Sequence, residues 1–201
     1  MPRSRMTKRS CWRPIGAALI VLLAASLTAV PSTPITAADP PAVVAAAGSS
    51  LTSGAPGPSA VFPITVTGVQ NLGAATVVVG YDPARLKPVA CQRGPAFDVG
   101  VCNRSYDRNG DGTADAVLFA VLSLNGVSAT GSAVPMANIT WQAVAAVQNQ
   151  EATVLTVEVR TFTNTDGFPI TYTTQDGQIT LLPPPVVNER RIYLPLVSRA
   201  P

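Results

Sequence analysis

The chain contains no histidine. That removes the Ser-His and Cys-His pairings of nucleophilic catalysis and any zinc site built on imidazole. Charged side chains make up only 12% and aromatics 5% of the 201 residues. A solvated helical surface and a long aromatic platform are therefore both poorly supplied. No stretch carries a helical apolar period of useful length. The apolar run Ile15 to Val30 has 16 residues, short of the roughly 20 that span a bilayer. Only three cysteines are present, and Cys11 precedes that run.

What is present begins with Arg3, Arg5, Lys8, Arg9 and Arg13, without an acidic residue among them, followed by the apolar run and then small residues. This is the order of a secretory signal, with cleavage after Ala29 or Ala38, and residues 1–38 are assigned to it. The alternative is a retained membrane anchor. The lack of a cysteine directly after the run argues against a lipoprotein signal. The chain's positive net charge of +3 comes from this segment, which holds five of the 14 basic and none of the 11 acidic residues. From Asp39 onward there are nine basic and 11 acidic side chains, so a basic footprint for nucleic acid or anionic lipid is not expected. Cys91 and Cys102 remain as an even pair in an exported chain, and a disulfide is the default reading over two buried thiols. Closing so short a loop stabilises by up to about 3 kcal/mol in the chain-entropy model.

Residues 39–183 read as one all-β domain. Ala42 to Ala47 gives a first edge strand. Phe62, Ile64 and Val66 alternate with Pro63, Thr65 and Thr67, Gly68 to Leu72 reads as a turn, and Ala74 to Tyr81 follows as a strand. Asp82-Pro83 ends it, because the residue before proline is pushed to extended backbone. A short strand is expected near Leu86 to Cys91, then an irregular stretch to Asp115. Ala116 to Leu122, apolar on both faces, reads as a central strand, and Asn125 to Ser132 as a turn-rich link. Ala137 to Val147 alternates, as do Leu155, Val157 and Val159 against Thr156, Glu158 and Arg160. Phe168 to Thr173 and Gln178 to Leu182 are short strands, with Gln175-Asp176-Gly177 as a hairpin turn between them. Eight or nine such strands make a β-sandwich. Residues 184–201 are a proline-rich spacer and an apolar tail with basic flanks.

The stretch from Gly68 to Pro88, GVQNLGAATVVVGYDPARLKP, is similar to the early strands of cohesin domains, whose pattern runs G-V-x-N-L-G, a strand, then Y-D-P-x-x-L. Phe168 to Leu182 resembles that family's closing hairpin. The resemblance implies a nine-stranded jelly-roll β-sandwich over residues 41 to 183. It also implies a non-catalytic binding module whose partner is a dockerin-type protein domain. Related sandwiches bind polysaccharide directly, which is the alternative, and a structural cell-surface protein is the third reading. Asn71-Leu72-Gly73 and Tyr81-Asp82-Pro83 are read as turn chemistry rather than ligand contacts. The tail's Y-L-P-L-x-x-R form resembles C-terminal segments of secreted bacterial proteins, which suggests a sorting signal; a terminal strand or disorder is the other reading.

Asp107, Asn109, Asp111 and Asp115 place side-chain oxygens at loop positions 1, 3, 5 and 9, with Gly112 at position 6, a spacing that suits a structural calcium ion. Position 12 is Leu118 rather than an acid and a strand follows, so this is not a helix-loop-helix site. The competing reading is an Asx-rich turn closed by its own side-chain to backbone hydrogen bonds. For sugar binding, Phe97 and Tyr106 in the irregular stretch and Tyr172 near the hairpin are the surface candidates, and Trp141 reads as core. Glu151, Glu158, Asp166 and Asp176 sit in no glycosidase motif, and catalysis is not expected. Asn103-Arg-Ser105 and Asn138-Ile-Thr140 match the glycosylation acceptor triplet.

Overall fold

Period-two alternation, with no helical apolar period, leaves the chain one way to bury its valines and isoleucines: sheets stacked face to face. The computed structural model describes residues 40–54 and 57–186. The signal expected over residues 1–38 and nearly all of the tail lie outside the described residues. Eleven strands form: β1 (Ala42–Ala46), β2 (Ser49–Thr52), β3 (Ser59–Thr67), β4 (Val69–Gly80), β5 (Leu86–Arg93), β6 (Val99–Tyr106), β7 (Ala116–Ala129), β8 (Val134–Ala143), β9 (Glu151–Asn164), β10 (Tyr172–Gln175) and β11 (Gly177–Leu182). The first sheet has the order β10-β1-β3-β8-β5 and the second β2-β11-β9-β4-β7-β6.

The expected count of nine is corrected to eleven for two reasons. The leading segment yields two strands, β1 in the first sheet and β2 in the second, on either side of Ala47 and Gly48. The stretch expected to be irregular after Cys91 contains β6, an edge strand paired only with β7. The link expected over Asn125 to Ser132 is largely strand as well, since β7 continues to Ala129. Pairing likewise persists through Val69 to Leu72, where a turn is expected from the sequence. The backbone takes up the irregularity as a register shift, with Asn71 at φ 55°.

Gln175-Asp176-Gly177 is not a hairpin turn. β10 runs parallel to β1 in one sheet, whereas β11 runs parallel to β2 in the other, so chain start and chain end change sheets side by side. The crossing is tight: a Cβ on Gly177 would lie 2.7 Å from the Ala46 carbonyl oxygen, which explains the glycine. At the crossing, Asp176 Oδ1 accepts the Val157 N–H of β9 at 2.8 Å. That amide lies past Leu155, the last β9 residue that β11 pairs with.

Between the sheets lie Phe62, Ile64, Val77, Val79, Phe119, Ile139, Leu155 and Ile179, with Trp141 fully buried edge-to-face against Tyr81 at 5.0 Å. Ser53, also buried, is satisfied: its hydroxyl donates to the Leu182 carbonyl and accepts the Val147 N–H. The Trp141 Nε1–H is buried without a partner among the described residues.

Candidate functional site

The outer face of the second sheet is built by register. Along β7, Val117, Phe119 and Val121 enter the core, so Leu118, Ala120 and Leu122 point outward. Opposite them on β6 stand Asn103, Val101 and Val99, and on the other side Val78, Thr76 and Ala74 of β4. β9 completes the face with Glu158, Thr161 and Thr163. At the β6–β7 side, Val99, Val101, Leu122 and Leu124 are exposed by 52%, 65%, 40% and 72%. Four exposed apolar side chains on adjacent strands make a small apolar patch on this face. The β9 side is polar, carrying the Glu158–Arg160 ion pair at 2.9 Å.

The loop from Asp107 to Asp115 closes the other end of this face. Asp107 accepts the amides of Asn109, Gly110 and Gly112, and Asp111 accepts the amide of Thr113. Arg108 turns onto the sheet. Its guanidinium donates to Asp115 Oδ2 at 2.9 and 3.0 Å and to Thr156 Oγ1 of β9 at 3.1 Å. It lies over Gly80, where a Cβ would collide with Nη1. Val78, two residues before Gly80 and outward on β4, is fully buried. Burial pushes the Asp115 carboxyl up, but the hydrogen bonds and charge of Arg108 together outweigh it and hold the group below the usual carboxylate range. The Thr113 amide and then the Asn109 carboxamide lower Asp111 in the same sense. The loop's far end is fastened to Tyr81, whose N–H donates to the Asp115 carbonyl and whose hydroxyl donates to the Ala114 carbonyl. Burial first, and the Asp115 charge second, push that phenol up.

Each expected site residue has a place. Cys91 of β5 and Cys102 of β6 are joined, with Cα atoms 6.2 Å apart, so the bridge links the edge strands of the two sheets. Phe97 is not a surface residue: it is 1% exposed, because a turn in which its N–H donates to the Gly94 carbonyl returns the ring to the core. Tyr172 is exposed, as expected, its ring edge-on to Phe162 and its hydroxyl donating to the Val159 carbonyl. Tyr106 is only partly exposed, at the last pairing of β6 with β7. Asp107, Asn109 and Asp111 share one exposed turn while Asp115 is held by Arg108. Among the described residues no group of three or more His, Cys, Asp or Glu side chains is placed to hold a metal. Of the candidate hydrolytic carboxylates, Glu151 pairs with Arg85, Glu158 with Arg160, and Asp176 accepts the mid-strand Val157 N–H of β9.

The turn motifs serve the fold. Asp82 Oδ1 accepts the Ala84 amide at 2.9 Å. Asn71 Nδ2 donates to Thr165 Oγ1 at 2.9 Å, and a Cβ on Gly73 would lie 2.6 Å from the Asn164 backbone. The exposed strip escapes a reading of the sequence because Val99-Gly-Val101 sits among residues that look irregular. Its short alternation is the available signal.

Two packed sheets, with an apolar strip on one outer face, define a β-sandwich. The cohesin domain model matches residues 49–181. The chain belongs to the cohesin domain family. No curated protein matches it by sequence. Among solved structures it is similar to a non-cellulosomal cohesin from the archaeon Archaeoglobus fulgidus, with 14% identity, TM-score 0.55, and 71% of this chain and 92% of that one covered. A cohesin solved in a type I cohesin–dockerin complex from Clostridium thermocellum gives 14%, 0.57, 72% and 95%. A type III cohesin from a cell-surface anchoring scaffoldin of Ruminococcus flavefaciens gives 16%, 0.53, 71% and 88%. At these identities the likeness establishes the fold. No described helix is long and apolar enough to cross a membrane.

Proposed function

We propose that the chain is an exported, non-catalytic cohesin module that holds a dockerin-type protein partner on the outer face of its second sheet, in an extracellular assembly acting on polysaccharide. The exposed strip Val99, Val101, Leu122 and Leu124 carries this reading. Membership of the cohesin family and the dockerin complex of a solved relative support it. The test is capture by the purified mature chain from the secretions of its own source, compared with Leu122→Arg and Val101→Arg variants. Loss of a specific partner in both variants, at unchanged thermal midpoint, is the expected result. Equal capture by the variants overturns the face. Retention on insoluble cellulose, chitin or xylan that disappears in Tyr172→Ala favours direct sugar binding instead. Processing of the N-terminus within residues 1–38 is the outcome expected for export.

Calcium belongs to this reading as a structural ion only, held by Asp107, Asn109 and Asp111, with Asp115 joining on release from Arg108. The oxygen spacing supports it. A higher thermal midpoint in calcium than in chelator, lost in Asp111→Ala, is the expected result; identical midpoints leave the loop as a self-closed Asx turn.

A further inference from the structure

We propose that Asn103 is a site of N-linked glycosylation whose glycan stands over the docking face. The idea rests on export, as read above. Two acceptor triplets occur, and their surroundings differ. Asn138 lies mid-strand in β8, half buried and paired on both sides, with Pro63 of β3 and Gln92 of β5. A transferase cannot draw that backbone into its own site without breaking two ladders. Asn103 is exposed on the edge strand β6, where regular pairing with β7 breaks off between Asn103 and Tyr106. Its Oδ1 accepts the Ser105 N–H at 3.0 Å, so the triplet is already bent into an Asx turn. Nδ2 makes no hydrogen bond within the described residues.

The reaction needs one co-reactant, an oligosaccharide carried on a polyprenyl diphosphate. Asn103 Nδ2 attacks its anomeric carbon, the carbon–oxygen bond to the diphosphate breaks with the electron pair leaving on the phosphate oxygen, and one Nδ2 proton passes to a base of the transferase. Nothing is oxidised or reduced. Asn103 faces Leu118 of β7 and lies two residues from Val101, on the same face. A hydrophilic chain there overhangs the apolar strip, so glycosylated and bare molecules differ in access for the partner.

The experiment is mass spectrometry of the full chain secreted by its own source, reduced and cut with trypsin, with the N-terminus read in the same sample. The expected result is a carbohydrate mass on the peptide Gly94–Arg104, absent in Ser105→Ala, with Asn138 bare. A processed N-terminus with bare Asn103, or a glycan on Asn138 alone, overturns the proposal. So does a modification that survives Ser105→Ala. An unprocessed N-terminus with bare Asn103 overturns the export reading, and this site with it.

Discussion

Replacing Cys91 and Cys102 together by alanine tests whether the bridge acts as the geometry implies. The two residues are 11 apart in sequence and join the edge strand of one sheet to that of the other. Loop closure over that separation removes unfolded-state entropy equivalent to about 3 kcal/mol. The packing that the two sulfur atoms add to the folded state is the smaller effect, because both cysteines are only partly buried at the margin of the core. For a domain near 150 residues that amounts to a fall of roughly 6–12 °C in Tm. Urea unfolding of the oxidised chain, the reduced chain and the double variant measures it. Each single variant should cost as much as the double, because either one breaks the same link. A double variant within about 1 kcal/mol of the oxidised chain refutes the entropic argument. Single variants whose costs add refute the view that one shared bond is involved.

Gly177→Ala places a methyl 2.7 Å from the Ala46 carbonyl oxygen where two strands change sheets. Neither backbone can retreat without breaking its ladder, so a loss of about 1–3 kcal/mol is expected in urea unfolding. Asp115→Asn should cost at most about 1 kcal/mol at neutral pH, because the Arg108 pair is partly open to solvent. The folded Asp115 carboxyl lies below its unfolded value. Its contribution is therefore present above the unfolded pKa of about 3.9 and lost as pH falls through the folded value, so the two chains should converge below about pH 4. Urea midpoints from pH 7 to pH 3 check the convergence.

Alternation made β9 and the outward row of Glu158 and Arg160 legible in the sequence, and it put Trp141 in the core. Such patterns need only a residue and its neighbours two along. Asp176-Gly177 shows the limit. The dipeptide has hairpin chemistry, yet β10 and β11 join different sheets, because their partners β1 and β2 lie more than a hundred residues earlier. β6 is hidden for another reason: an edge strand has one neighbour, so its glycine, asparagine and arginine are tolerated and read as loop. Phe97 follows Gly94-Pro95, which signals a turn without saying which way the next ring points. The same blindness hides the strip, since Ala116 to Leu122 is apolar on both faces and only pairing tells which side water sees. Of the calcium set, the spacing is readable, but the capture of Asp115 by Arg108 is not.

The strip is too small to hold a partner by itself. Four side chains roughly half exposed, at about 1.5–3 kcal/mol for full burial of each, offer about 3–6 kcal/mol. Association costs on the order of 4–15 kcal/mol in lost freedom. On this side's burial alone, a partner seated only on Val99, Val101, Leu122 and Leu124 would therefore bind at best with a Kd of about tens of millimolar. At the other end of the face Arg108 lies over Gly80, so added contact must run sideways, across Thr76 of β4 to Thr161, Glu158 and Arg160 of β9. Three strand spacings of about 4.8 Å separate β6 from β9, a width one helix or hairpin can cover. Glu158→Lys should then weaken capture by tenfold or more while leaving stability unchanged, because the Glu158–Arg160 pair is exposed. Calorimetry with the captured partner decides it: unchanged affinity in Glu158→Lys would confine the footprint to β6 and β7, and the required energy would have to come from a surface other than this face.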